Sequence, residues 1–181
     1  MIASYFQSPK APVSLRDEFI MTLLFDLMKE PCFSKLRTEE QLGYIVFSFM
    51  RNEGCVPFGC FLIQSAVGSP EFLASRVDAF IAGFKEQLES TTPEQLKQQK
   101  EALITQIKEK DRSIKQEFQR QWDEIKTHQY MFDRREKSLE ILSDDAQITL
   151  ADLKECYEML FAPTSQRRLD VQLVSAQHKE N

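Results

Sequence analysis

The apolar residues of this chain change period along its length, and that change restricts the fold more than any other feature. Residues 2–6 and the tail 169–174 alternate apolar and polar side chains, as a half-buried strand does. Residues 43–50 and 57–67 are rich in Tyr, Ile, Val and Phe and flank a turn of Asn52, Glu53 and Gly54, which predicts an antiparallel hairpin. Elsewhere the spacing is helical. Ser14 with Asp17 reads as an N-cap, and Phe19, Ile20, Leu23, Leu24, Leu27 and Met28 follow at helical spacing until Pro31, where the helix should stop. Met21 and Phe25 fill its opposite side, so burial over most of its circumference is expected.

Ser69 with Pro70 opens a second helix carrying Phe72, Leu73, Val77, Phe80, Ile81, Phe84 and Leu88 on one face. Thr92, Pro93 and Gln95 open a third, Ser113 with Gln116 a fourth, and Thr149 with Asp152 a last one through Leu160, which Pro163 ends. In the fourth, Ile114, Phe118, Trp122 and Ile125 form one stripe, and aromatic residues at that spacing are expected in the core. Strands at both ends with helices between them predict an α+β domain of two layers, helices covering one face of a mostly antiparallel sheet. Its 181 residues make one domain, 1–181.

Composition removes whole classes of function. A net charge of −5 and a pI near 5.2 argue against nucleic acid or an anionic membrane as the main partner, because both need a basic face. The longest uncharged run, 54–70, holds two prolines and three glycines and cannot be a membrane span. No basic, apolar and small-residue succession marks an export signal. Cys32, Cys55, Cys60 and Cys156 form no CxxC pair, so free buried thiols in a reducing, cytoplasmic setting are expected.

The two histidines, His128 and His178, lie in no HxxEH, HExxH or HxxxH context, so this chain alone is not expected to build a zinc site. GxSxG, GxxxxGK[ST] and GxGxxG are absent as well. Lys108, Lys110, Arg112 and Lys115 are interleaved with Glu109, Asp111 and Glu117, the pattern of a solvated helix face. What remains is the stretch 32–48. There Arg37 and Tyr44 flank a helical turn that leads into a strand. Two readings of them stay open on physical grounds: Arg37 paired with a neighbouring glutamate and Tyr44 a rim aromatic, or both as exposed donors.

The run FSKLRTEEQLGYIVFS resembles a segment in the C-terminal half of the insulin-degrading enzyme, nardilysin and pitrilysin family of zinc metallopeptidases. Glu30 to Phe33, Ile63 to Ser65, Glu71 to Phe80, Trp122 with Glu124 and Ile125, and Gln129 to Arg134 resemble the family's last domain in the same order. The resemblance implies a fold of the mitochondrial-processing-peptidase type, with the opening strand and helix missing because residues 2–6 match the domain's second strand. It implies a C-terminal domain that forms the wall of a peptide chamber. In the family, the arginine and tyrosine of the LRTxEQLGY segment, here Arg37 and Tyr44, contact peptide substrate at a zinc site held by an HxxEH motif in the N-terminal catalytic domain. No cofactor or metal is then expected in this chain, and its implied partners are the catalytic half of the same protein, peptide substrates and a homo-oligomer. The family's lysine-rich anion-binding patch falls at the cluster beginning at Lys108, but its adjacent lysine pair is absent here. A catalytically silent peptide-binding or subunit-interaction module is the alternative reading; the LRTEEQLGY run speaks for the protease domain.

Overall fold

The computed structural model describes residues 1–10, 12–53 and 56–175. Four strands, β1 (Ile2–Gln7), β2 (Ile45–Glu53), β3 (Val56–Gln64) and β4 (Arg167–Gln172), form one antiparallel sheet in the order β2-β3-β1-β4. The helices are α1 (Leu15–Cys32), α2 (Pro70–Ser90), α3 (Pro93–Lys108), α4 (Ile114–Lys126), α5 (Arg134–Ser143) and α6 (Leu150–Phe161). This is the two-layer α+β arrangement that the periods predict. The hairpin forms as expected, its Gly54 and Cys55 lying outside the described residues, as does His178. Among the described residues, no helix is long and apolar enough to cross a membrane.

Capping residues set where the helices begin. Ser14 Oγ accepts from the Asp17 amide at 3.0 Å, and Ser69 and Ser113 cap α2 and α4 in the same way. Thr92 with Gln95 and Thr149 with Asp152 close full capping boxes on α3 and α6. Helix α5 carries no side-chain cap and has a weakly apolar face, so the sequence periods do not announce it.

Strand alternation divides the sheet into two unlike faces. Ile2 and Phe6 of β1, Phe61 and Ile63 of β3 and Val46 of β2 point into the core against α1, α2 and α6, whose Leu24, Met28, Val77, Phe84 and Leu160 are buried. Rings meet edge to face there: the Phe6 centroid lies 5.9 Å from Phe61 and 5.0 Å from Phe161. Tyr157 donates its hydroxyl to the Ile81 carbonyl at 2.5 Å, which lets a polar tip sit in that layer. The second face holds the rows Phe47–Leu62–Ala3–Val171 and Phe49–Cys60–Tyr5–Leu169, and Phe47, Leu169 and Val171 on it are exposed. A shallow cleft of about 460 Å³ opens on it between Tyr5, Phe58 and Leu169, with Arg167 at its rim.

Two expectations fail here, each for a tertiary reason. The tail does pair as a strand, but its apolar residues Leu169 and Val171 face outward. The inward position belongs to Arg168, which lies over the Phe6 ring and binds Asp78 and Asp170. The Ile114, Phe118, Trp122 and Ile125 stripe is exposed rather than core. Helix α4 is anchored through its polar side instead: its buried residue Glu124 accepts from Arg134 of α5, which also binds Glu18 of α1. With the ion pair turned inward, the apolar stripe points away.

Candidate functional site

The LRTEEQLGY segment is placed by an interruption that the sequence pattern misjudges. Pro31 does not end the helix, because α1 runs to Cys32 and continues as seven residues of π-helix, Phe33–Glu39. Proline cannot donate a helical hydrogen bond and its ring crowds the preceding turn, yet α1 carries Pro31 in its last turn and the wider π turns begin two residues after it. Glu40 then donates its amide to the Lys35 carbonyl, five residues back, at 3.0 Å, and Leu42 donates to Leu36 at 3.0 Å. Single π turns are frequent at functional sites. Gln41 follows with φ of 52°, a left-handed residue that turns the chain towards β2.

Leu36 and Leu42 are buried in the core and fix the depth of this segment. At Gly43 the backbone runs against the Gln64 carbonyl so closely that a Cβ would lie 1.9 Å from its oxygen. With Leu36, Leu42 and Gly43 held inward, Arg37 and Tyr44 are left on the outer side. The structure brings both sequence-selected residues together: the Arg37 guanidinium carbon lies 5.0 Å from the Tyr44 ring centroid and 4.7 Å from that of Phe33. Tyr44 is 83% exposed. Phe33 had no signal in the pattern that would select it, since a phenylalanine after a helical run reads as core.

The acidic neighbours of Arg37 are taken by other cations. Glu39 binds Lys35 at 2.8 Å, and Glu40 receives a two-pronged bond from Arg76 of α2, Nε to Oε2 at 2.7 Å and Nη2 to Oε1 at 2.6 Å. The reading of Arg37 as the partner of a neighbouring glutamate is therefore set aside, because among the described residues no carboxylate pairs with it. Arg76 holds the Glu40 carboxyl below its ordinary range by those hydrogen bonds. A guanidinium laid against rings keeps its N–H donors, which lie in its own plane, for a further acceptor. Arg37 and Tyr44 thus form a pair of outward donors on a buried support, suited to a carbonyl or an oxyanion.

The other candidates remain without a site. Lys108, Lys110, Arg112 and Lys115 are all exposed, and Lys110 and Arg112 lie in the α3–α4 connection rather than on one helix face. His128 is exposed beyond the end of α4, its Nδ1 3.1 Å from the Tyr130 hydroxyl. Cys32, Cys60 and Cys156 are free and buried, and burial pushes their thiols up to about 12, 11 and 12. No group of three His, Cys, Asp or Glu side chains among the described residues could hold a metal ion.

The family model described as PQQ synthase PqqF-like, C-terminal lobe domain 4 matches residues 23–122. Insulin-degrading enzyme of Homo sapiens is 33% identical over 167 residues, covering 92% of this chain and 16% of that protein. Nardilysin of Homo sapiens is 33% identical over 153 residues, covering 83% of this chain and 13% of that protein. This chain therefore spans a small fraction of the length of the relatives it matches. The crystal structure of pitrilysin superposes with a TM-score of 0.84 at 23% identity, over 99% of this chain and 19% of that chain. The inactive peptidase domain of a putative zinc protease from Bordetella parapertussis superposes with a TM-score of 0.68 at 11% identity, over 96% of this chain and 91% of that chain. Both likenesses concern the fold.

Proposed function

Because this chain belongs to the PqqF-like C-terminal lobe domain 4 family, whose relatives include insulin-degrading enzyme and nardilysin, we propose that it is the substrate-facing, metal-free wall of a zinc metalloendopeptidase. In this reading Arg37 and Tyr44 donate hydrogen bonds to the peptide around the scissile bond. The zinc and its ligands belong to the catalytic half of the parent polypeptide. The observation that carries the reading is Arg37 itself: followed closely by two glutamates that bind other cations, it lies against the rings of Phe33 and the exposed Tyr44.

The chemistry follows from the donors. A tyrosine hydroxyl donates one hydrogen bond and is most useful to an oxygen that gains charge during reaction, whereas a guanidinium also holds a neutral carbonyl well. Tyr44 therefore acts on the reacting carbonyl oxygen, and Arg37 orients the peptide. The uncovered apolar sheet face, with Phe47, Tyr5, Phe58 and Leu169, lines the chamber against which the peptide lies.

The test uses the polypeptide that carries this chain together with its catalytic half. Steady-state kinetics on a short quenched peptide should show Tyr44→Phe losing kcat on the order of 10² to 10³, the loss of one oxyanion donor. Arg37→Ala should lower kcat/KM with more of the loss in KM. Zinc content and melting temperature should hold in both. A kcat near wild type for Tyr44→Phe, with zinc and fold intact, would return Tyr44 to the rim and leave the domain as wall alone.

A further inference from the structure

We propose that Glu40 and Arg76 are positioning residues, the pair that fixes where Arg37 and Tyr44 stand; this rests on the substrate-contact reading of those two residues. Glu40 lies between them, three residues after Arg37 and four before Tyr44, and closes the π-helix. The stretch from Phe33 to Tyr44 contains two conformations that a free chain avoids, the π turns and the left-handed Gln41. Such conformations are disfavoured in a free chain and persist only where the surroundings over-determine them.

The apolar anchors do part of that work. Leu36 and Leu42 sink into the core and Gly43 abuts Gln64, which sets the depth of the segment. Side chains seated in an apolar layer leave the segment free to roll about the line joining them, since hydrophobic contact has no direction. A bidentate guanidinium–carboxylate pair is planar and directional, and removes that freedom. Arg76 is suited to the task because it stands on α2 between Leu73, Val77 and Phe80, all buried, so its backbone moves only with the core. The pair is also shielded: the Glu40 side chain is 15% exposed and that of Arg76 33%. Lys35 cannot substitute, because it lies 4.0 Å from Glu40 and its near partner is Glu39 on the solvent side.

The first measurement needs no activity. In the ¹⁵N-labelled 181-residue chain, the Arg37 side-chain Nε–H signal should carry ring-current shifts from Phe33 and Tyr44. Glu40→Ala and Arg76→Ala should each move that signal to the position of a free arginine while the amides of Phe61 and Ile63 keep theirs. The reversed pair Glu40→Arg with Arg76→Glu should recover part of the shift. Arg76→Lys, which keeps charge and stem but loses the fork, should give a smaller change in the same direction and serves if the alanine variants unfold. In the parent enzyme, Glu40→Ala should reduce kcat on the order of 10- to 100-fold, as small misplacements of a catalytic contact do. That loss should nearly vanish in an Arg37→Ala, Tyr44→Phe background. An Arg37 signal indifferent to Glu40→Ala and Arg76→Lys, or a kcat loss undiminished in the double background, overturns the proposal. Full kcat for Tyr44→Phe combined with a released Arg37 signal in Glu40→Ala would instead overturn the substrate-contact reading and leave the positioning geometry standing.

Discussion

Residues 33–44 and helix α4 both set apolar side chains among charged ones, yet the structure uses them in opposite ways. In the first, Leu36 and Leu42 are buried and the charged and phenolic groups are displayed on top of them. In the second, Glu124 is buried with Arg134 and the apolar stripe is displayed, Phe118 stacked on Trp122 at 5.9 Å between centroids. The spacing of apolar residues identifies which side of a helix is apolar. It does not say whether anything packs on that side, and an ion pair in the right place can turn the helix around.

The contrast can be broken at either end. The largest loss of stability should come from Leu36→Ala, which removes a fully buried anchor and should cost about 2–5 kcal/mol, read from the denaturation midpoint of the 181-residue chain. Gly43→Ala should follow at about 1–3 kcal/mol, since the new methyl must displace the Gln64 backbone at the end of β3. A cost near zero at Gly43 would mean that the turn is loose and that Tyr44 is not held.

Acid sharpens the comparison further. Glu40 has its carboxyl lowered from an ordinary 4.5, first by the hydrogen bonds from Arg76, so its contribution to stability is present above that pH and fades as pH falls through the lowered value. The melting temperatures of wild type and Arg76→Ala should therefore differ near neutrality and converge as the pH falls through and below the ordinary carboxylate range. A gap that does not narrow as the carboxylates of the chain become protonated would show that Arg76 acts through packing rather than through the Glu40 carboxylate. The smallest effect belongs to α4: Trp122→Ser should alter the stability of this chain by no more than about 0.5 kcal/mol. A loss as large as that of Leu36→Ala would put the stripe in a core after all.

Much of this was legible in the residues. N-caps at Ser14, Ser69, Thr92, Ser113 and Thr149 mark helix starts because a side-chain oxygen beside an unpaired amide is a local matter. Arg37 and Tyr44 could be selected, but only because their segment resembles a known family's; their spacing alone left them ambiguous. Arg76 as the partner of Glu40 was hidden, since 36 residues separate the two and no period connects them.

By itself the sequence determined the alternation of strands and helices, the two-layer class, the identity of the apolar faces and the presence of two strong donors about a helical turn. These follow from periods of two and 3.6 and from contacts a few residues long. Only the tertiary structure decided that the helix survives Pro31 as a π turn, that Glu39 and Glu40 belong to Lys35 and Arg76, and that Arg37 is left to face Phe33 and Tyr44. It likewise decided that α4 and β4 turn their apolar sides outward. Each of these outcomes is a competition among groups distant in the chain, where one charge finds the nearer or better-shaped partner, and such competitions are settled only when the elements have packed.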